Sequence, residues 1–103
     1  MAKLKLNPEP TFPAKVEIHV PGKEPAEIEF TFKHRDREEL KDFAEAMKQM
    51  EDVDIILNLA TAWDLTDPFT KESVEVLVKK YYTAPKATFD TYLRELTGAK
   101  EKN

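Results

Sequence analysis

Near its start the chain alternates apolar and polar residues twice, and beyond that its apolar positions fall at helical spacing. In "KVEIHV" the apolar Val16, Ile18 and Val20 interleave with Lys15, Glu17 and His19, the period of a strand with one buried face. After "PGKEP" the period returns, with Ile28, Phe30 and Phe32 on one side and Glu27, Glu29, Thr31 and Lys33 on the other. Two such runs around a Pro-Gly turn predict an antiparallel hairpin with one apolar face. A lone hairpin is marginal in water, so that face calls for a helical layer to pack on.

From Asp36 onward the spacing supplies that layer. Asp36 is placed as an N-cap, and Glu39 three residues on gives capping-box spacing. Leu40, Phe43, Ala44 and Met47 then form one stripe. A second helix is predicted to start near Asp52 and run through "VDIILNLATAW", with Val53, Ile56, Leu57 and Ala60 inward and Trp63 three residues further along the same stripe. Thr70 caps a third, in which Val74, Leu77, Val78 and Tyr81 recur at i, i+3, i+4 and i+7. Thr83 and Pro85 open a fourth, since a first turn tolerates the missing N–H of proline. Its stripe is Phe89, Tyr92, Leu93 and Leu96, and Gly98 stands where a helix stop is expected.

The predicted class is therefore α+β, an N-terminal antiparallel β-hairpin packed on about four short α-helices. The expected organisation is one domain over 1–103, with an extended proline-rich lead-in at 1–13, the hairpin at 14–34, a helical part at 35–98 and a frayed tail at 99–103.

Composition narrows the functions open to such a domain. A net charge of -4 argues against non-specific nucleic-acid binding, which depends on displacing phosphate counterions, and against adhesion to an anionic membrane surface. The absence of cysteine removes disulfides, thiolate nucleophiles and Cys-type zinc sites. The opening "MAKLKLNPEP" lacks the apolar core of a signal peptide, and "VDIILNLATAW" is too short and polar to span a bilayer. The expectation is a soluble intracellular protein.

Reactive chemistry finds little support. Asp64 and Asp67 could share a cation, but calcium loops alternate their oxygen ligands and carry a Gly at the sharp turn, and neither feature is present. They read better as residues that cap or turn the chain ahead of Pro68. His19 and His34 lie near no nucleophile and at no metal-binding spacing. With only Gly22 and Gly98, no glycine-rich phosphate cradle can form. No catalytic residue, metal ligand or cofactor site is expected.

What remains is aromatic surface. Trp63 reads first as core, and Phe69, just ahead of the cap Thr70, can staple onto Val74. Tyr82 follows the inward Tyr81 and is turned about 100° from it, toward solvent. Phe12, isolated among prolines, either clips onto the hairpin or faces a partner. Trp63, Phe69, Tyr82 and Phe12 are the candidate partner-binding surface, against the rival reading that they complete a thin core.

The ordered series "NPEPTFPAKVEIHVPG", "EIEFTFKHRDREEL", "WDLTDPFTKESVEVLVKKYY" and "FDTYLRELTGA" resembles a family of small tail assembly chaperones of tailed bacteriophages and prophages, from about Leu6 to Ala99. A Gly often precedes the Trp in that pattern, where this chain has Ala62. The resemblance implies a non-catalytic protein of the host cytoplasm that is not expected in the mature virion. Its implied partner is the tape measure protein, through helical segments that it holds until tail tube subunits polymerise around them. Relatives are often made in a second, longer form by ribosomal frameshift, which would bring in the tail tube protein. Lys100 and Lys102 mark where a slippery site would fall. Homo-oligomerisation stays open. The alternative is a structural minor tail or tail-completion protein that is retained in the virion.

Overall fold

The structure is a computed structural model and describes residues 2–99. Its elements, in order, are β1 (Thr11–Ile18), β2 (Ala26–Lys33), α1 (Arg37–Met47), α2 (Asp52–Leu59), β3 (Ala60–Trp63), α3 (Lys71–Lys80) and α4 (Ala84–Thr97). The class is α+β, with a three-stranded antiparallel sheet in the order β1-β2-β3. The frayed tail expected at 99–103 lies outside the described residues apart from Ala99.

The hairpin has the register that the alternation implies. Val16 pairs with Ile28, and Val16, Ile18, Ile28, Phe30 and Phe32 are all buried, while Glu17 and Glu29 stand in water. Val20 and Lys33 are half-buried. At the tip, Lys23 donates its N–H to the Val20 carbonyl at 3.1 Å and Gly22 has φ 74°, so Val20–Pro21–Gly22–Lys23 has the features of a type II turn, which needs positive φ at its third residue.

β1 begins earlier than the alternation suggests and takes in Pro13, which the sequence reading assigned to the lead-in. The bond from His34 N–H to the Pro10 carbonyl (2.9 Å) fixes the parity of the ladder: Phe12, Ala14 and Val16 face β2, and Pro13 turns its nitrogen outward. A proline is tolerated there because β1 is an edge strand, and the missing donor blunts that edge.

Two expectations are corrected. Ala60–Trp63 is not the end of a helix but a strand, entered directly from α2 as the backbone opens at Ala60 (φ -131°, ψ 165°). Pairing with the open side of β2 gains a ladder there that one more helical turn would forfeit. Ala44, placed on the inward stripe of α1, is exposed, and Phe43 alone of that helix is fully buried.

The helix ends follow the sequence closely. Asp36 and Glu39 form the reciprocal capping box, at 2.8 and 2.9 Å. The Thr70 hydroxyl accepts from Ser73 N–H at 3.3 Å, and Gly98 ends α4 at φ 73°. Between β2 and α1, Arg35 joins four elements. It donates to the Asn58 carbonyl at the end of α2 (2.8 Å) and to the Tyr92 hydroxyl (3.1 Å), and its guanidinium lies 4.0 Å from the centre of the Phe43 ring. A cation suits that place because the last carbonyls of a helix lack partners and carry partial negative charge. Tyr92, fully buried, in turn donates to the Lys33 carbonyl at 2.8 Å.

Candidate functional site

β3 ends at Trp63, and its pairing opposite Phe30 directs the indole to the helical side of the sheet. There Trp63 meets Phe30 edge-on (ring centres 6.0 Å apart, 60°) and Phe69 edge-on (5.2 Å, 75°), while Phe69 also meets Phe30 (6.4 Å, 84°). These separations and angles are those that aromatic quadrupoles favour. The indole N–H donates to the Asp67 carbonyl at 2.7 Å, so the loop after β3 is folded back onto the ring.

The aspartates serve that loop. Asp64 accepts Glu29 N–H on its Oδ1 at 2.9 Å and donates its own N–H to the Glu29 carbonyl at 3.1 Å, extending the ladder by a side chain. Among the described residues no group of three His, Cys, Asp or Glu is gathered as a metal would need.

The folded loop and α3 enclose a recess of about 310 Å³ lined by Trp63, Leu65, Asp67, Val76, Leu77 and Tyr81, among others. Leu65 and Val76, 38% and 51% exposed, are the large apolar groups at its mouth. Leu65, Leu77 and Tyr81 also wall a second recess of about 170 Å³, which runs to Val20, Ala26 and Glu27 at the hairpin tip. The two adjoin across Leu65, Leu77 and Tyr81, together a trough, and among the described residues the only charged side chains lining it are Asp67 and Glu27.

The four sequence candidates do not make a single patch. Trp63 and Phe69 sit together, each half-buried. Tyr82 is 95% exposed and borders a different recess, of about 330 Å³, with Met47, Ile55, Pro85 and Phe89. Phe12 clips onto the fold, stacked on Tyr92 (6.0 Å, 21°) and tilted against Phe32 (5.7 Å), and it lines a shallow recess with Pro8, His34 and Leu96. Sequence reasoning missed Leu65 and Val76. Val76 carried a usable signal: it is apolar at a position between the inward residues Val74 and Leu77, where a two-sided helix should be polar.

These residues define a small α+β domain whose distinctive surface is an apolar trough rimmed by aromatic rings and acidic side chains. The chain belongs to the phage tail assembly chaperone family, whose model matches residues 1–103. No curated protein and no solved structure matches it significantly. Membership supports a chaperone role in tail assembly, with tail proteins as partners. Among the described residues no helix is long and apolar enough to cross a membrane.

Proposed function

We propose that the protein binds apolar helical segments of the tape measure protein during tail construction, without catalysis, in the host cytoplasm, and departs before the virion is complete. A tape measure chain exposes apolar stripes that are covered only when the tube assembles, and until then they are an aggregation hazard. The observation that carries the reading is the trough flanked by Leu65 and Val76, since an amphipathic helix docks by laying its apolar face in such a groove. Trp63, Phe69 and Tyr82 remain the proposed aromatic anchors, and Phe12 a peripheral one.

The test pairs thermal midpoint with capture of a tape measure fragment. Tyr82→Ala and Val76→Glu remove exposed groups, so each should leave the midpoint nearly unchanged and weaken capture by about tenfold or more. Phe69→Ala should lower both, because its ring also packs on Trp63 and Phe30. Undiminished capture by both exposed-site variants would refute the proposed surface. Mass spectrometry of purified particles addresses the rival role: finding the chain there in stoichiometric amount would favour a structural tail component. A longer frameshifted product, which would engage the tail tube protein, should appear on immunoblots of induced cells.

A further inference from the structure

Five large apolar side chains among the described residues are exposed: Leu4, Leu6, Leu65, Val76 and Tyr82. Two of them border the trough, and two belong to the arm that precedes β1, where Leu4 and Leu6 are 90% and 93% exposed. We propose that the Lys3–Leu6 arm of one copy seats in the trough of a second copy.

Chemistry matches the two halves. The arm reads Lys-Leu-Lys-Leu, so in extended form both leucines leave on one side and both lysines on the other. It carries no acid before Glu9. The trough is apolar with Asp67 toward one end and Glu27 toward the other, and among the described residues no cation lines it. The leucines can then cover Leu65 and Val76 while the lysines, on the outer side, add positive charge above an acidic rim. Lys5, which pairs with its own Glu9 at 3.3 Å, exchanges one exposed carboxylate for another.

Geometry directs the contact to another copy. Thr11, the root of the arm, pairs with Lys33 at the end of the hairpin away from its turn, whereas the trough extends to the turn end beside Ile18. Leu6 is five residues from Thr11, about 17 Å at full stretch. The strand from Thr11 to Ile18 itself spans about 23 Å. Pro8 and Glu9 moreover line a recess with His34 and Leu96, at the end of the hairpin away from its turn, while the trough is lined by α3, the loop after β3 and the turn end of the hairpin. A chain's own Leu6 thus falls short of the turn end, and Leu4, seven residues from Thr11 and about 25 Å away at full stretch, only just reaches it, whereas a neighbour's arm can lie along the trough unstretched. If the exchange is reciprocal, each dimer has two such contacts about a two-fold axis.

Sedimentation velocity on the full chain tests this without any tape measure fragment, so it can fail while the tape-measure reading stands, and the converse. Self-association should depend on concentration and weaken with salt. Leu4→Ser with Leu6→Ser should raise the dissociation constant roughly 100-fold or more, since two buried leucines are lost, with the thermal midpoint unchanged. Leu65→Lys with Val76→Lys should abolish association from the other side. Mixing the two double variants should restore a one-to-one complex, because each keeps one intact half. A wild-type chain that stays monomeric at its solubility limit overturns the proposal, as does an arm variant that associates like wild type or a mixture that forms no complex. A wild-type arm that gains protease protection only on addition of a tape measure fragment also overturns it and assigns the trough to that partner.

Discussion

Removing one oxygen atom from Tyr92 should cost the fold a large part of its stability. The side chain is fully buried, its hydroxyl donates to the Lys33 carbonyl at 2.8 Å and it accepts from Arg35 Nη1 at 3.1 Å. Tyr92→Phe keeps the ring contacts with Phe12 and Phe32 but leaves that carbonyl and one guanidinium N–H without their partner. An orphaned buried acceptor costs about 1–3 kcal/mol, and a bond from a charged donor is worth about 1.5–3 kcal/mol. Lys33 and Arg35 are only half-buried, so water recovers part of this, and about 2 kcal/mol is the expected loss. For a chain of this size that corresponds to a drop of roughly 10 °C in Tm, measured by circular dichroism. Arg35→Met should couple to Tyr92→Phe by at least about 0.5 kcal/mol in a double-mutant cycle followed by urea unfolding. A Tyr92→Phe protein melting within about 2 °C of wild type, or additive effects in the cycle, would refute the idea that this network ties the sheet to α1, α2 and α4.

Other outcomes can be checked in the same assays. Phe30→Ala, at a wholly buried position in the middle of the aromatic cluster, should lose about 3–5 kcal/mol and leave little folded protein at physiological temperature. Thr88→Val should raise stability by about 1 kcal/mol, because the Thr88 hydroxyl is buried without a hydrogen-bond partner and valine keeps its shape. Gly98→Ala should cost about 1 kcal/mol for conformational reasons alone, since the residue sits at φ 73° and an added Cβ would touch nothing. Its effect should be confined to the end of α4, visible as faster amide exchange there.

How far the sequence foretold this molecule depends on whether the information was local. The hairpin register was legible because a slip of one residue would have put Glu17 and Glu29 in the core and Ile18 and Phe30 in water. Caps at Asp36 and Thr70 and the stop at Gly98 were legible because each is decided within a few residues. β3 was not. Its residues Ala60 and Trp63 satisfy a helical spacing as well as a strand, no Gly or Pro divides them from α2, and what selects the strand is the unpaired edge of β2, some thirty positions away. The Arg35 network escaped notice for the same reason, since its partners Asn58 and Tyr92 are distant in the chain. Of the residues lining the trough, Trp63 was among the sequence candidates, but Leu65 and Val76 show only once the loop folds over the indole.

Trp63 is the chain's only tryptophan, and it stands in the wall of the recess with its N–H fixed to the Asp67 carbonyl. Its fluorescence is therefore an optical probe built into the trough. Anything that enters, whether a helix or a neighbour's arm, changes the polarity around one indole and no other. Excitation at the red edge of the indole band avoids Tyr81, Tyr82 and Tyr92, so occupancy of the trough can be titrated on the unlabelled protein. The wavelength of maximum emission would follow filling of the recess, and quenching by iodide would follow its closure to solvent.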